Sequence, residues 1–307
     1  MSKTVLIGGG TGLIGQRLAT LLQDRGDRPR LLTRQSTPGE HRFPRYVWDA
    51  RAQTIDPAAL AGVTHVVNLA GAGIADGRWT DRRKALIIES RTDTTQLLAE
   101  AVLRHAPPVE AFVSASAIGY YGHRGDALLD EDSGPGEGFL SESTILWERA
   151  VGEFAGQTGI RTCALRTGIV LSTAGGALEK MLVPARLGVS GYFGNGRQYY
   201  SWIHIDDIAR AYLAALDDER FVGPVNAVAP EPVTCKTLAQ VLAKALPNPC
   251  VAAPVPAFGL RLAFGEMAHT VLDSTRVVSD KLEHELGFGF AFPAIGPALS
   301  DLLEREV

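Results

Sequence analysis

The stretch from residue 5 to residue 15 constrains the fold of this chain more than any other part of its sequence, and it reads V-L-I-G-G-G-T-G-L-I-G. A short apolar strand breaks into glycines, and an apolar-periodic helix follows at once. Gly10, Gly12 and Gly15 fit G-x-G-x-x-G, and Gly9 starts the looser G-x-x-G-x-x-G. Such glycines allow a tight turn, the approach of a pyrophosphate to the backbone, and close packing of helix on strand. The stretch therefore predicts a dinucleotide-binding turn.

A helix that starts directly after the glycines presents free N–H groups and the positive end of its dipole to a phosphate. Such an interaction contributes up to about 2 kcal/mol in a partly buried site. We expect contacts to the cofactor from every residue of the turn and the first helical turn, namely Gly9, Gly10, Thr11, Gly12, Leu13, Ile14 and Gly15. A structural turn that binds no ligand is the alternative.

Composition limits the class of protein. The 307 residues suffice for about two domains, or for one large α/β unit with a lobe. A net charge of −4 gives no reason to expect a nucleic acid or an acidic membrane surface as a partner. Three dispersed cysteines fit free thiols in a reducing compartment and suggest no metal site. Without a signal peptide or a long apolar run, we expect a cytoplasmic monomer or homodimer that acts on a small molecule.

The second strand, predicted at 30–34, indicates which dinucleotide the turn accepts. NAD-binding proteins usually place an acidic residue here to accept hydrogen bonds from the ribose 2′-hydroxyl. This chain has Thr33 and Arg34 instead, and the next acidic residue is Glu40. A carboxylate would repel a 2′-phosphate, whereas Arg34 could bind it through charge-assisted hydrogen bonds. We therefore predict NADP(H) rather than NAD(H); a solvated surface role for Arg34 is the alternative.

Two further strands end near the expected cofactor. The third ends at Trp48 and Asp49, close to where related folds receive adenine, although Asp49 could equally cap the next turn. The fourth ends at Leu69 and runs into the small residues Ala70 and Gly71, and ligands of open α/β sheets bind at that edge. A simple tight turn is the alternative for this second place.

The alternation of strands and helices up to residue 171 predicts a right-handed, doubly wound parallel sheet of the Rossmann-like α/β class. A long helix follows the fourth strand and carries Arg91 at its middle, on the stretch that should flank the cofactor. Strands are predicted at 5–7, 30–34, 46–49, 65–69, 111–115, 161–165 and 224–228. Beyond residue 171 the alternation loosens.

Several motifs together resemble one family along nearly the whole chain. They are G-G-G-T-G-L-I-G, T-R after the second strand, N-L-A-G, R-W-T, S-A-S-A-I-G-Y-Y-G, W-E, L-R-T-G-I-V-L, S-W-I-H-I-D-D, N-A-V-A-P-E-P-V-T and S-T-R-V. The chain is similar to the extended short-chain dehydrogenases/reductases of the NAD-dependent epimerase/dehydratase superfamily. Within that superfamily it resembles the atypical YfcH-like subgroup, the "epimerase family proteins".

The resemblance implies both an architecture and a set of contacts. It implies an NADP-binding Rossmann domain of residues 1–171 plus about 200–229, and a smaller C-terminal substrate lobe of about 172–199 plus 230–307. It also implies that NADP(H) contacts residues outside the glycine turn, namely Thr33, Arg34, Leu69, Ala70, Leu86, Arg91 and the backbone around Ile169.

The sequence departs from the superfamily at the catalytic pair, which is normally Tyr-x-x-x-Lys one helix after the fifth strand. The tyrosine acts as the general acid/base, and the lysine lowers its pKa. No tyrosine in this sequence is followed four residues later by lysine. Counting back from Glu148, the two positions fall near Leu140 and Thr144, neither of which is a suitable acid or base. The usual serine falls on Ala117, with Ser116 one place away.

Two functions remain open on these grounds. The chain could be an NADP(H)-dependent oxidoreductase or epimerase, with Ser116 and Tyr121 as the first catalytic candidates and Arg91 orienting the substrate or a phosphate. A core tyrosine with a hydrogen-bonded hydroxyl is the alternative for Tyr121. The other function is a sensor or scaffold that binds NADP(H) without turnover, and the missing pair favours it.

Overall fold

The computed structural model describes residues 2–35, 40–105 and 107–305. The strands are β1 (Thr4–Gly8), β2 (Arg28–Thr33), β3 (Arg45–Asp49), β4 (Thr54–Ile55), β5 (His65–Asn68), β6 (Ala111–Ala117), β7 (Leu128–Leu129), β8 (Arg161–Thr167), β9 (Ile169–Leu171), β10 (Val189–Phe193), β11 (Tyr199–Tyr200), β12 (Trp202–His204), β13 (Gly223–Ala227), β14 (Val233–Thr234), β15 (Val251–Val255) and β16 (Arg276–Val277).

Helices cover both faces of the sheet that half of these strands build. The α-helices are α1 (Leu13–Asp24), α2 (Asp81–His105), α3 (Phe139–Thr158), α4 (Gly176–Arg186), α5 (Ile205–Asp217), α6 (Cys235–Ala245), α7 (Ala257–Phe264), α8 (His269–Leu272) and α9 (Ile295–Glu304). Short 3₁₀ turns lie at Pro57–Leu60, Ile118–Tyr121 and Gly265–Ala268, and a π-helical turn lies at Lys281–Glu285. None of the helices in the described residues combines the length and apolarity that a membrane span requires.

The described residues form one eight-stranded sheet in the order β13-β8-β6-β5-β1-β2-β3-β4. Its neighbouring strands are parallel, except for the antiparallel pair of β3 and β4 at one edge. The chain leaves β1 toward β2 on one side and later returns to β5 on the other. The strand order therefore reverses at β1, and ligands of such sheets bind beside the carboxyl ends of strands at this switch point. The predicted Rossmann-like, doubly wound α/β fold is confirmed.

Alternate residues of the central strands pack on opposite faces of the sheet. In β1, Val5 and Ile7 belong to one apolar cluster and Leu6 to another, and all three are fully buried. The first cluster continues into α1 and α5, and the second into α2 and α3. A parallel strand covered by helices on both faces has no polar side, which explains the unbroken apolar run before the glycines.

Local contacts determine where the predicted long helix begins and where the predicted second strand begins and ends. The long helix α2 begins at Asp81, because Thr80 Oγ1 accepts a hydrogen bond from the N–H of Arg83 and caps this end at 3.2 Å. The second strand begins at Arg28 and ends at Thr33, so Arg34 lies in the loop beyond it. The pairing of β2 with β1 begins with Arg28 opposite Thr4, and this explains why the strand starts before the predicted residue 30.

The segments after β9 build smaller pairs of strands outside the main sheet. β10 pairs with β15, and β11 pairs with β14, so residues 189–200 associate with residues 233–255. The C-terminal segment is held at α5, where the buried carboxylate of Asp207 accepts hydrogen bonds from the N–H groups of Ala291 and Phe292 at 2.9 Å each. Long-range pairing of this kind has no periodic signature in the sequence.

Candidate active site

The glycines of the turn have different surroundings. Gly9 has a positive φ of 71°, and a Cβ there would lie 2.7 Å from the carbonyl carbon of Leu69. A Cβ at Gly15 would lie 2.6 Å from the Cα of Gly10, so α1 packs directly against the turn. Gly12 is exposed, and a Cβ there would meet only the Gly9 oxygen, at 3.3 Å. The first and last glycines thus serve packing, and the middle one leaves an open face for a ligand.

The amino end of α1 is available to an anion. Gly12 is the N-cap, and among the described residues no side chain caps this end and no acidic residue lies in the first turn. Thr11 is exposed beside it, while Leu13 and Ile14 are half-buried. Free N–H groups with the positive end of the helix dipole can bind a phosphate, which is the role that the sequence predicts for this turn.

A cavity of about 820 Å³ opens beside the turn, at the carboxyl ends of the central strands. This volume is within the usual range for small-molecule and cofactor sites, roughly 300–1,000 Å³. Its walls come from Ile14 on α1, from the loops after β5, β6 and β8, from α2 and α3, and from the C-terminal segment. The lining residues are Ile14, 69–74, Trp79, Arg91, 115–119, Gly122, His123, 137–140, Ser143, Thr144, Trp147, 167–169, Tyr199, Tyr200, Glu266, His269, Thr270, Asp273 and Thr275.

Arg91 presents a cation to this cavity. Its Nη1 donates to the carbonyl oxygens of Ile87 at 2.8 Å and Ala72 at 3.2 Å, and its guanidinium carbon lies 4.8 Å from the ring centre of Trp147. Within the described residues, no carboxylate forms an ion pair with it. Desolvation, with the nearby charge of Arg83, lowers the pKa of Arg91 to about 10. A half-buried cation without a counter-charge favours an anionic ligand.

Two groups of the other expected cofactor contacts lie at or just beyond the ends of β2 and β3. Thr33 donates from Oγ1 to the Gln35 oxygen at 2.9 Å, and Arg34 beside it is exposed. Trp48 is buried, and the carboxylate of Asp49 caps the following turn by accepting from the N–H groups of Arg51 and Ala52.

The remaining three expected contacts differ in their access to the cavity. The 69–71 loop lines it, and Ala70 N–H donates to Asn68 Oδ1 at 3.2 Å. Ile169 also lines it, with its N–H bonded to the Ser201 oxygen at 2.9 Å. Leu86 is an exposed residue on α2, outside the cavity wall.

Ser116 lies at the end of β6, where it lines the cavity and contacts a buried ion pair. Its Oγ donates to Glu148 Oε1 at 2.6 Å. Arg166 on β8 donates to the same carboxylate through Nε and Nη2, at 2.8 Å each. The Arg166 side chain is 3% exposed and that of Glu148 is 17% exposed. This paired geometry fixes the carboxylate, and through it the serine hydroxyl.

Tyr121 lies behind that ion pair and outside the cavity wall. Its hydroxyl accepts from Arg166 Nη1 at 2.9 Å and donates to Asn226 Oδ1 at 2.7 Å. The side chain is fully buried, and burial raises the pKa of its phenol to about 12. The structure thus brings Ser116 and Tyr121 into one hydrogen-bond network but gives only Ser116 access to the cavity.

The positions of the absent catalytic pair face the cavity as expected from the count along α3. Leu140 and Thr144 both line the wall, one helical turn apart. The Thr144 hydroxyl donates to the Leu140 carbonyl oxygen at 2.7 Å, so its proton is directed at the backbone. The sequence reasoning did not single out Arg166 or the cavity-lining His269 and Asp273. The available signal for Arg166 was its position as a charged residue after the apolar residues of its strand.

The aromatic residues between 192 and 202 divide into two groups. Tyr199 and Tyr200 line the cavity. Trp202 is fully buried in the core, and Tyr192 and Phe193 pack against the same cluster. The neighbouring His204 is fully buried and caps α5 by accepting from the Asp206 N–H at 3.0 Å.

Comparisons of the sequence identify relatives over nearly its full length. The family model described as "NAD dependent epimerase/dehydratase family" matches residues 5–227, and "Domain of unknown function (DUF1731)" matches residues 255–302. The epimerase family protein SDR39U1 of Mus musculus is 37% identical, over 97% of this chain and 99% of its own length. Epimerase family protein Mb2239 of Mycobacterium bovis is 36% identical, over 97% of each.

Solved structures agree with this relationship. The human epimerase family protein SDR39U1, crystallised with NADPH, superposes with a TM-score of 0.86 at 34% identity, over 98% of this chain and 99% of that one. The UDP-N-acetylglucosamine 4-epimerase from Bacillus cereus gives a TM-score of 0.79 at 18% identity, over 100% of this chain and 98% of that one. At that low identity the second likeness reflects the fold alone.

Proposed function

The chain belongs to the NAD dependent epimerase/dehydratase family, and on that premise we propose that it is an NADP(H)-binding enzyme that transfers hydride to or from a small molecule. The observation that supports this most strongly is the glycine turn, whose open face at Gly12 and uncapped helix end adjoin the cavity. The human relative bound to NADPH supports the same cofactor.

The residues present fit the pyrophosphate and the 2′-phosphate of this cofactor. The N–H groups that begin α1 would hold the pyrophosphate, and Arg91 would add a positive charge that no described carboxylate neutralises. Arg34 would bind the 2′-phosphate, with Thr33 beside it. The Asp49 carboxylate is occupied by the N–H groups of its own turn, which supports a capping role for it.

Ser116 is the polar group that we assign to the substrate. The bound cofactor would supply or accept the hydride. Ser116 Oγ, whose own proton is donated to Glu148, would accept a hydrogen bond from the hydroxyl of an alcohol substrate or product. Glu148 and Arg166 fix that hydroxyl from behind. Tyr121 would act as a positioning residue through Arg166, since its own hydroxyl does not line the cavity.

A second function has one observation in its favour. Leu140 and Thr144 occupy the cavity wall where the superfamily places its tyrosine and lysine. With a hydrocarbon at one position and a hydroxyl bound to the backbone at the other, the usual proton transfer has no donor. A sensor or scaffold that binds NADP(H) without turnover fits this wall equally well.

We also propose a division of the chain into two parts. The Rossmann part would comprise residues 1–171 plus about 200–229, and the substrate lobe about 172–199 plus 230–307. The pairing of β10 with β15 and of β11 with β14 supports the grouping of the two lobe segments. The addition of β13 to the edge of the main sheet supports the assignment of its segment to the Rossmann part.

A thermal-shift titration with NADP⁺, NADPH, NAD⁺ and NADH tests cofactor binding. A cofactor at about 100 times its Kd adds roughly 2.7 kcal/mol of apparent stability. We expect a large shift with the phosphorylated pair only. No shift with any of the four would overturn the cofactor assignment. Oxidation of NADPH by a panel of carbonyl metabolites then separates the enzyme from the sensor, which would bind NADPH without oxidising it.

A further inference from the structure

The C-terminal segment places a histidine and an aspartate in the wall of the cavity. His269 and Asp273 both line it, and His269 Nδ1 lies 2.9 Å from Asp273 Oδ1. We propose that His269, oriented by Asp273, is the proton-transfer residue of this site and serves a carbonyl substrate or the corresponding alcohol. This inference rests on the proposed hydride-transfer function and assigns the acid/base that the missing tyrosine leaves open.

The segment that carries this pair is attached to the loop that follows β6. The Ser274 N–H donates to His123 Nδ1 at 2.9 Å, and Ser274 Oγ donates to the Gly125 oxygen at 2.6 Å. Thr275 Oγ1 donates to the Gly122 oxygen at 3.0 Å. These bonds fix the pair beside the loop into which the Ser116 strand leads, and Ser116 lines the same cavity.

The hydrogen bond to Asp273 determines what His269 can do. When Nδ1–H donates to the carboxylate, Nε2 is the nitrogen left to exchange a proton with a ligand. The Asp273 carboxylate also holds the ring in one orientation, as carboxylates do for catalytic histidines. The His269 side chain is 58% exposed, so solvent can return the proton after each turnover.

His123 has a different constraint, although it lines the same cavity and its side chain is equally exposed at 58%. Its Nδ1 accepts the Ser274 N–H and therefore bears no proton, so the ring carries its single proton on Nε2. Loss of that proton would leave an imidazolate, which is not accessible near neutral pH. His123 is thus a structural acceptor that helps to hold the Ser274 segment. The matched control for His269 is His284, an exposed histidine in the π-helical turn Lys281–Glu285 that does not line the cavity.

The proposed step balances in both directions. In reduction, the bound cofactor would supply a hydride to the carbonyl carbon and would itself be oxidised. The carbonyl π bond breaks toward oxygen, and the imidazolium of His269 gives its Nε2 proton to that oxygen. The products are an alcohol and a neutral imidazole, which regains a proton from solvent. Oxidation of an alcohol is the reverse sequence, with neutral His269 accepting the hydroxyl proton.

The test measures NADPH oxidation by the full chain with 4-nitrobenzaldehyde, 2,3-butanedione and cyclohexanone as carbonyl probes. We expect His269→Gln to lower kcat by about 10²–10⁴-fold, the usual contribution of a general acid. The Kd for NADPH, from fluorescence titration, should stay unchanged. His284→Gln makes the same change outside the cavity wall and should retain wild-type kcat. Added imidazole should restore turnover to His269→Ala, which a merely structural histidine would not show.

The outcomes separate the two proposals. Wild-type kcat in His269→Gln, or the same loss in His284→Gln, would overturn the assignment of His269 while leaving the hydride-transfer function intact. Failure of the wild type to oxidise NADPH with any of the probes, despite binding it, would count against the hydride-transfer function itself, and the assignment of His269 would fall with it.

Discussion

Removal of Glu148 should destabilise the protein strongly, because it leaves Arg166 as a buried cation without its ion-pair partner. The Arg166 side chain is 3% exposed and gives two hydrogen bonds to the Glu148 carboxylate, at 2.8 Å each. After Glu148→Leu it keeps the Tyr121 hydroxyl and the face of the Tyr120 ring, 3.6 Å away, but no carboxylate among the described residues forms an ion pair with it. Breaking one side of a buried pair costs about 3–5 kcal/mol.

This loss is a large share of the roughly 5–15 kcal/mol that stabilises a folded domain, so it is measurable by urea unfolding. The double variant Glu148→Leu with Arg166→Met removes both charges and should recover part of the loss, with a coupling of about 0.5–3 kcal/mol. As a control, Asp218→Asn removes one partner of the surface pair with Arg220, which is 61% exposed, and should change stability far less. Strict additivity of the two single variants would refute the buried-pair argument.

Three other predictions concern the cofactor and the core. Arg34→Ala should weaken NADPH binding about tenfold or more while leaving NADH binding unchanged, because only the 2′-phosphate is lost as a partner; equal NADPH affinity by fluorescence titration would contradict this. Gly15→Ala places a Cβ 2.6 Å from Gly10 Cα and should cost about 1–3 kcal/mol in thermal or urea unfolding, whereas Gly152→Ala, with open space around it, should not destabilise. Burial lowers the pKa of His204, so the contribution of this residue to stability is fully present above its ordinary pKa of about 6.5 and declines as the pH falls below it. In a His204→Asn variant, the free energy of unfolding should therefore depend less steeply on pH between about pH 7 and 5. An unchanged slope would refute this assignment.

The fold could be predicted largely from the sequence because its signals are local. The apolar run of β1 is a strand buried on both faces, and the glycines after it have steric requirements that few other residues meet. The positions Leu140 and Thr144 also followed from counting along one helix, since residues four apart share a face. The pairing of β10 with β15 did not follow, because it joins segments about sixty residues apart.

The candidate site was predictable only in part. The glycine turn, the 69–71 loop, Arg91 and Ser116 line or adjoin the cavity, as the motifs indicated. Tyr121 was named beside Ser116 on sequence grounds, yet its hydroxyl is directed away from the cavity into the ion-pair network. Side-chain direction after the end of a strand depends on the 3₁₀ turn at Ile118–Tyr121, which no period in the sequence specifies.

The sequence alone determined the strand–turn–helix unit and the class of ligand that this unit suits. It also shows that no Tyr-x-x-x-Lys pair is present. These features can be read locally because steric limits on glycine and helical periodicity act over a few residues. Only the tertiary structure decided which distant side chains meet. Glu148 reaches Ser116 and Arg166 across three different elements, and His269 reaches the same cavity from the C-terminal segment. Such contacts depend on strand order and on the packing of helices against the sheet, and these form only when the whole chain is folded.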